Sequence, residues 1–303
     1  MAFARFDDLD AARPEVEECI ATYGWAPEHS YACFVHSVED KWSGVFFRSR
    51  EGYGIFSYVS DDGREWEMLG ESMAPEAARG SMVLQFLEYV SSLPQAETVY
   101  LEVAPEVRRD ILKKNIPGWR VSRIRERMLW PLLSLDAYDI SLSGSRMKPM
   151  RNVRSRFLRE HTLRVADPLS VPAADLHGVI QRWEKNRPAT HHPYSAEYHA
   201  LVEDKFTGTT GARVLMVDGA AHALSAGWPI PHSDGYYHSL ALHTYAYWGL
   251  GEMLMLESLE WIKKEGYRFV NLGGSDANLL AFKKKFGDVS TYTTCYFLMK
   301  RVS

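Results

Sequence analysis

The sequence predicts a mixed α/β fold made of two successive units that share one order of elements. In each half of the chain, short runs rich in apolar and aromatic residues are separated by turn residues, which is typical of β-strands. A helix, a strand, a second helix and a last strand then follow these runs in both halves. An order of elements that occurs twice with little identity between the copies indicates duplicated units.

The first half begins with a predicted helix near residues 14–23. Four runs after it predict an antiparallel meander, with Asp61-Asp62-Gly63 as one of the turns. The expected strands are 31–36, 44–49, 53–59 and 65–69. A helix at about 75–93, a strand at 98–103, a helix at 105–114 and a strand at 127–133 complete this half.

The second half has predicted strands at 213–217, 222–228 and 236–242, and a long helix from Gly249. A short interior strand at 268–272, a helix at about 276–286 and a last strand at 291–299 follow. In the long helix, Glu260 precedes Lys264 by four residues, the favourable spacing for an ion pair. Strict alternation along the third strand would place Tyr236, His238 and Leu240 on one face.

The turn before the long helix is the clearest candidate for a binding site. Trp248, Gly249, Leu250 and Gly251 end an aromatic strand and start the helix. A helix that begins after a glycine-rich loop presents unpaired N–H groups and a positive dipole end to a phosphate or another anion. The alternative is a plain tight turn that glycine permits. The first half has Glu71 to Pro75 in this place, so we expect its unit to bind weakly or to act as a platform.

A basic segment lies between the halves. After a linker at 141–145, six basic residues occur within fourteen positions, among them Lys148, Arg151 and Arg154. If the segment is helical after Pro149, an apolar stripe at i, i+3 and i+7 leaves the other faces cationic. These side chains are predicted to bind the phosphates of a nucleotide-bearing donor or of RNA. The alternative is an ordinary solvated helix face.

The composition describes a globular chain. It has 303 residues, 46% of them hydrophobic and 24% charged, and a formal net charge of −4. The length suffices for two cores of ordinary size. The negative charge argues against DNA as a partner and requires a local patch for any RNA contact. No window approaches eighteen uncharged apolar residues, so we expect no integral membrane association.

Cysteine and histidine patterns favour a cytoplasmic protein without a metal. Cys19, Cys33 and Cys295 are far apart and odd in number, which suggests a reducing compartment. His191, His192 and His199 match none of the usual zinc spacings, and no cysteine or carboxylate set accompanies them. We expect these histidines to line a surface or the edge of a pocket.

Two segments near the C-terminus carry a family resemblance. They are YRFVNLGG at 267–274 and LAFKKKFG at 280–287. With the basic segment, the glycine turn and the long helix, they resemble the phosphatidylglycerol lysyltransferase C-terminal-like proteins, which are similar to the Fem-type peptidyltransferases. The resemblance implies two tandem acetyltransferase-like (GNAT-type) domains, each a mixed, mostly antiparallel sheet flanked by helices. The expected domains are a degenerate platform at 1–140 and a donor-binding, catalytic domain at 141–303.

The resemblance also implies site residues. Fem-type enzymes have a Phe-Lys pair whose lysine is thought to stabilise an oxyanion, and the matching positions are Phe282 and Lys283. A fixed cation favours the transition state because attack on an ester carbonyl builds negative charge on oxygen. Lys283 also lies in a lysine run that would be ordinary on an exposed helix.

Three further residues are candidates with alternatives left open. Asn271 is expected to bind substrate or to cap the turn after its strand. Asp276 is expected to be a helix N-cap or to hold the incoming amine. His238, like the nearby His243, is a candidate general base or a packing residue.

The expected activity is transfer of an aminoacyl group from aminoacyl-tRNA to an amine or hydroxyl of a small-molecule or peptide acceptor. No cofactor is expected, because aminoacyl-tRNA serves as co-substrate. An acyl-CoA-dependent N-acyltransferase is the first alternative, and a non-catalytic ligand-binding protein is the second. The lipid-modifying relatives usually carry a membrane-spanning part, so a lipid acceptor is less expected here.

Overall fold

The computed structural model describes residues 3–186 and 195–302. The β-strands are β1 (Phe3–Phe6), β2 (Trp42–Ser49), β3 (Gly54–Ser60), β4 (Glu65–Met73), β5 (Thr98–Val103), β6 (Trp119–Val121), β7 (Glu126–Ser134), β8 (Leu163–Ala166), β9 (Thr210–Val217), β10 (Ala220–Pro229), β11 (Gly235–His243), β12 (Phe269–Asn271) and β13 (Val289–Arg301). The α-helices are α1 (Arg13–Tyr23), α2 (Tyr31–His36), α3 (Glu76–Ser92), α4 (Pro105–Lys114), α5 (Lys148–Glu160), α6 (Ala173–Lys185), α7 (Ala196–Glu203), α8 (Leu250–Lys264) and α9 (Ala277–Lys283). Short 3₁₀ turns lie at Pro168–Ser170 and Lys284–Phe286.

The chain forms two compact units. Unit 1 comprises Met1–Trp130, Ile230–Ser233 and Tyr292–Ser303, and unit 2 comprises Pro131–Pro229 and Asp234–Thr291. Residues 131–140 therefore lie in unit 2, and the greater part of β13 lies in unit 1. The expected division into domains at 1–140 and 141–303 stays a prediction.

Unit 1 is a mixed sheet with helices packed on it. Its strands follow the order β1, β2, β3, β4, β5 and β13, and β6 also pairs with β13. β4 and β5 are parallel, with Met68 opposite Leu101, and the other neighbours are antiparallel. The predicted meander of β2, β3 and β4 is thus confirmed. Aromatic side chains from the sheet and from α3 form one core, where Phe47 and Phe86 lie 5.4 Å apart between ring centroids.

Unit 2 has a sheet with the order β7, β12, β11, β10, β9 and β8. β11 and β12 are parallel, with Tyr236 opposite Val270, and the remaining neighbours are antiparallel. β12 has a strand on each side, which confirms the predicted interior strand. Helices α5 and α8 pack in one core cluster, and α6 and α7 contribute to another.

The two units share a pairing scheme. In unit 1, three antiparallel strands lead through α3 to β5, which is parallel to β4 and antiparallel to β13. In unit 2, three antiparallel strands lead through α8 to β12, which is parallel to β11 and antiparallel to β7. The repeated element order seen in the sequence therefore corresponds to a repeated order of strand pairing.

The segment Tyr31–His36 was expected as a strand and forms α2 instead. The side chain of Ser30 accepts a hydrogen bond from the backbone N–H of Cys33 at 3.3 Å and caps the helix. Phe34 is fully buried and stacks on Phe56, with ring centroids 4.1 Å apart. The prediction of a strand was wrong, because the composition of a six-residue apolar run does not distinguish a buried helix turn from a buried strand.

Helices α6 and α7 were not predicted, although α6 carries a readable signal. Its buried residues Leu176, Val179, Ile180 and Trp183 follow the i, i+3, i+4, i+7 spacing of an amphipathic helix. His199, expected in a loop region, lies on α7. His191 and His192 lie outside the described residues.

Candidate functional site

The turn before α8 needs its glycines. Gly249 is the N-cap of α8 and has a φ of 83°, in the left-handed region that favours glycine. A Cβ added there would lie 2.8 Å from Cγ1 of Val153 on α5, and a Cβ added at Gly251 would lie 2.8 Å from Nε2 of His243. The first turn of α8 thus comes close to both neighbours. The positive dipole end of a helix is a feature that binds anions at helix starts.

A β-bulge interrupts β11 at its centre. Ala226 pairs with Leu240 and Trp228 pairs with Tyr237, so β11 advances by three residues where β10 advances by two. As a result, Tyr236 packs in the core cluster that contains α8, whereas Leu240 packs in the cluster that contains α6. The expectation that these residues share a face was wrong, because a bulge adds one residue and reverses the alternation.

His238 lies within this bulge and is 5% exposed. No described residue forms a hydrogen bond with its buried Nε2. Burial, together with the nearby charge of Lys283, lowers the pKa of His238 to about 4. The imidazole is therefore neutral near pH 7, and the residue lines a cavity while its Nε2 is buried.

Lys283 lies at the end of α9 and is 7% exposed. Its Nζ donates hydrogen bonds to the carbonyl oxygen of Leu272, to the carbonyl oxygen of Gly273 at 3.1 Å and to Oγ of Ser275 at 2.8 Å. Burial lowers the pKa of Lys283 to about 7, and the carboxylate of Asp276 opposes that decrease. Lys283, which lies in a run of three lysines, is thus buried and hydrogen-bonded to the turn after β12.

A cavity of about 540 Å³ brings these elements together within unit 2. Its wall includes Lys283, Phe282 and His238, together with Gly251 from the first turn of α8. The other lining residues are Trp183, Tyr198, Tyr237, Ser239, Ala241, Leu242, His243, Tyr245, Leu254, Met255, Leu272, Gly273, Gly274 and Leu279. Concave spaces of this size, largely apolar and with a few polar groups, are typical of ligand sites.

The remaining catalytic candidates have structural contacts beside the cavity. Oδ1 of Asn271, a buried residue, accepts from the backbone N–H of Gly273 at 2.9 Å. Oδ1 of Asp276 accepts from the backbone N–H of Leu279 at 2.7 Å, so Asp276 is the N-cap of α9. The ring of Phe282 lies 5.2 Å from that of Phe286. Whether any of these residues has a further role in catalysis stays a prediction.

The basic candidates lie on α5, which packs beside α8. Arg151 donates to the carbonyl oxygens of Leu142 and Gly144, the latter at 2.7 Å, and Arg154 donates to that of Ile140 at 3.4 Å. Both guanidinium groups therefore hold the segment that precedes α5. Lys148 is exposed. Their predicted role in phosphate binding stays a prediction.

The side chain of Trp248 is 58% exposed and lies against α5 rather than in the cavity wall. The guanidinium carbon of Arg156 lies 4.6 Å from the centre of its ring. This is a cation–π contact. The same guanidinium also donates from Nε to Oε1 of Glu160 at 3.0 Å.

Histidines outside the cavity form a pair with a carboxylate. Nδ1 atoms of His177 and His199 lie 2.7 Å apart, and Nε2 of His177 lies 2.7 Å from Oε1 of Glu203. Within residues 3–186 and 195–302, no cluster of three or more histidine, cysteine or acidic side chains has the arrangement of a metal site.

Sequence reasoning missed the residues that α6, α7 and the turn after β12 contribute. Trp183 and Tyr198 line the cavity from α6 and α7, and their rings lie 5.7 Å apart. Ser275, fully buried, is a hydrogen-bond partner of Lys283. The apolar spacing in α6 could have placed Trp183 on a buried face, whereas no sequence pattern marks Ser275.

None of the described helices combines the length and the apolar character needed to traverse a lipid bilayer.

The comparisons with known proteins identify a family. The chain matches the family described as "Phosphatidylglycerol lysyltransferase, C-terminal" over residues 29–291. No curated protein matches the chain.

Among solved structures, the chain is similar to the C-terminal domain of a putative lysylphosphatidylglycerol synthetase from Agrobacterium fabrum. The identity is 18% and the TM-score is 0.66, and the alignment covers 94% of this chain and 91% of that one. FemX aligns at 10% identity with a TM-score of 0.62, over 97% and 96% of the two chains. A tandem GNAT protein from the clavulanic acid biosynthesis pathway aligns at 13% identity with a TM-score of 0.56, over 99% and 98%.

Identities this low establish a shared fold, a mixed α/β sheet flanked by helices with GNAT-like neighbours. The family match, which spans most of the chain, confirms the resemblance carried by the segments around Asn271 and Lys283. The chain belongs to the phosphatidylglycerol lysyltransferase C-terminal family.

Proposed function

We propose that this protein is an aminoacyltransferase that moves an aminoacyl group from aminoacyl-tRNA to an amine or hydroxyl of a small-molecule or peptide acceptor. One observation carries the proposal: a buried lysine and a buried histidine, Lys283 and His238, line the same cavity as the first turn of α8. The family and its likeness to FemX support an acyl-transfer chemistry.

In the proposed reaction, the acceptor nitrogen or oxygen attacks the ester carbonyl carbon of the donor. A bond forms between them, the carbonyl electrons move to oxygen, and the ester bond to the ribose oxygen then breaks. The positive charge of Lys283 stabilises the transient oxyanion. Such preorganised stabilisation is commonly the largest single contribution to acyl transfer.

Lys283 would act through its charge. Its three N–H donors already have three acceptors, Leu272, Gly273 and Ser275. These bonds fix the ammonium in place and favour its charged form. A cation that needs no reorganisation during the reaction stabilises the transition state more than the ground state.

His238 would carry the proton. His238 lines the cavity with a neutral ring whose Nε2 has no partner among the described residues, so we assign to it the proton that the attacking group loses. Because burial keeps its pKa at about 4, the ring returns that proton readily to the departing ribose oxygen. No covalent enzyme intermediate is required, since the ester is already activated.

The donor phosphates are assigned to the start of α8 and to the neighbouring helix α5. Gly249 and Gly251 let the start of α8 lie close to Val153 and His243, and the guanidinium of Arg156 lies over the exposed ring of Trp248. Lys148, Arg151 and Arg154 add positive charge along α5. We place the protein in the cytoplasm because aminoacyl-tRNA is found there.

The same proposal includes two tandem acetyltransferase-like domains. The shared pairing scheme of the units supports it, as does the likeness to a tandem GNAT protein over nearly the whole chain. The domain without the glycine turn is proposed as a platform.

The test uses total tRNA charged with labelled amino acids, a mixture of small amines and peptides, and the full chain. Label should move to an acceptor, and RNase pretreatment should abolish the transfer. Transfer from acyl-CoA in the absence of tRNA would show that the donor is acyl-CoA and not aminoacyl-tRNA. Ligand binding that survives Lys283→Ala, with no transfer from either donor, would show a binding protein instead.

A further inference from the structure

The acceptors around Nζ of Lys283 are of two kinds. The carbonyl oxygens of Leu272 and Gly273 belong to the backbone of the turn after β12. Oγ of Ser275, at 2.8 Å, is the only side-chain acceptor of Nζ within the described part of the chain. A substitution of Ser275 therefore removes one acceptor while the two backbone acceptors remain.

A second hydrogen bond orients the hydroxyl of Ser275. The hydroxyl donates to the carbonyl oxygen of Gly273 at 3.1 Å. Because a serine hydroxyl has one hydrogen, its lone pairs are left to accept from Nζ of Lys283. Ser275 and Lys283 are both buried, and hydrogen bonds between buried groups are electrostatically stronger than those in water. The serine thus favours the ammonium form of the lysine.

The turn that carries Ser275 is held at both ends. At its start, Oδ1 of the buried Asn271 accepts from the backbone N–H of Gly273 at 2.9 Å. At its end, Oδ1 of Asp276 caps α9 through the N–H of Leu279. Ser275 lies between these two fixed points and is not part of the cavity wall. It can therefore act on a bound substrate only through Lys283.

Few charged or titratable groups lie near Lys283. Burial lowers the pKa of Lys283 to about 7, against the effect of the Asp276 carboxylate. From β11, His238 lies close enough for the charge of Lys283 to lower the pKa of the histidine. The residues that α8 adds to the cavity wall are uncharged, and the other titratable residues of this wall are Tyr198, Tyr237, His243 and Tyr245. Near pH 7, the charged fraction of Lys283 should therefore respond strongly to the loss of one hydrogen bond.

We propose that Ser275 is a positioning residue for the transfer, whose hydroxyl keeps the amine of Lys283 protonated and directed at the turn while the oxyanion forms. The inference rests on the proposed function and adds a residue that acts on the reaction through Lys283.

The first experiment measures the amine directly and needs no transfer. The full chain is treated with a trace of acetic anhydride between pH 5 and 10, and peptide mass spectrometry gives the acetylation of Lys283, with the exposed Lys284 as internal reference. Ser275→Ala should lower the titration midpoint of Lys283 by about one pH unit or more, since a hydrogen bond to a charged group has a free energy of that order. Ser275→Thr keeps the hydroxyl and should restore the midpoint. An unchanged midpoint in Ser275→Ala would overturn the inference.

Two further variants separate this effect from a loss of packing. Ser275→Cys retains the size of the side chain with a weaker acceptor and should lower the midpoint as Ser275→Ala does, so it gives the result if the alanine variant does not fold. Ser258 on α8 is also buried, and it donates to Oγ of Ser225 at 3.2 Å. Ser258→Ala should leave the midpoint of Lys283 unchanged. An equal shift in Ser258→Ala would refute a specific role of Ser275.

The second experiment uses the transfer assay. Ser275→Ala should lower kcat about fivefold at pH 7 and leave KM unchanged, because a shift of one pH unit reduces the charged fraction of Lys283 from about one half to about one tenth. At pH 5.5 its kcat should approach that of the wild type. A loss that is the same at every pH, or a change in KM alone, would contradict the inference. A shifted midpoint without transfer in any protein would refute the proposed function and leave the effect of Ser275 on Lys283 intact.

Discussion

Nζ of Lys283 lies 2.8 Å from Oγ of Ser275, a residue that is itself buried and precedes it by eight positions. This contact joins the last residue of α9 to the turn that follows β12. Two backbone carbonyls of the same turn complete the set of acceptors. The ammonium is therefore fixed by the turn that carries the family segment YRFVNLGG.

Lys283→Met should lower kcat of the transfer by about 100-fold or more, since loss of one oxyanion-stabilising group has effects of that size. Assays with the labelled donor, stopped at timed intervals, measure kcat. Lys284→Met is the matched control, because Lys284 is exposed in the same lysine run, and it should leave kcat unchanged. Equal rates for both variants would remove Lys283 from catalysis.

The charge of Asp276 should set the pH range of activity. Its carboxylate raises the pKa of Lys283 against the effect of burial. Asp276→Asn preserves an N-cap but removes the charge, so the decline in rate expected as pH rises through about 7 should move to lower pH. A pH profile of kcat measures the change.

Asp276→Ala serves as the comparison for the cap alone. It removes the hydrogen bond to the N–H of Leu279 and should cost about 1 kcal/mol of stability, which Asp276→Asn should largely avoid. If the asparagine variant keeps the wild-type pH profile, the charge of Asp276 has no influence on Lys283.

Because of His238, the free energy of unfolding should decrease as the pH falls below the ordinary pKa of histidine. Its folded-state pKa of about 4 lies below the ordinary 6.5, so between these values the unfolded chain binds a proton that the folded chain lacks. The free energy of unfolding therefore rises with pH in that window, by at most about 1.4 kcal/mol per pH unit. Denaturant unfolding from pH 4 to 7 measures the slope.

His238→Asn should flatten this dependence, and His232→Asn, at an exposed position, should not. The same His238 variant should lower kcat about 100-fold if the ring carries the proton. A flattened stability profile with unchanged kcat would assign His238 to packing alone.

Gly249→Ala should destabilise the protein more than Gly266→Ala. Both glycines have a left-handed φ, of 83° and 92°, which costs an alanine about 1–2 kcal/mol. Only at Gly249 would the new Cβ contact Val153, at 2.8 Å, whereas nothing lies within 4 Å at Gly266. The added contact should cost about 1–3 kcal/mol more. Thermal or denaturant unfolding compares the variants, and equal losses would contradict the close approach of α5.

Elements with strong local signals could be predicted from the sequence. The bounds of β5 and α4 agree with the expected 98–103 and 105–114, because Pro105 marks the start of a helix directly after a β-branched, apolar strand. The ion pair between Glu260 and Lys264 is present at 2.7 Å. Four-residue spacing on a helix is a local property, and local properties can be read from sequence.

The interior of the site could not be read in that way. Lys283, Lys284 and Lys285 have the same side chain, and only the packing of α9 decides that the first is buried and the others are exposed. The bulge in β11 depends on pairing with β10, so alternation within one strand gave the wrong faces. The family resemblance singled out Lys283, and the fold then supplied its partners.

The strand pairing has a consequence for synthesis on the ribosome. β5 takes β13 as its antiparallel neighbour, although residues 289–301 are made long after β1 to β6. β12 instead takes β7, which has been synthesised well before it. During translation, β5 therefore lacks its antiparallel neighbour until residues 289–301 have been synthesised.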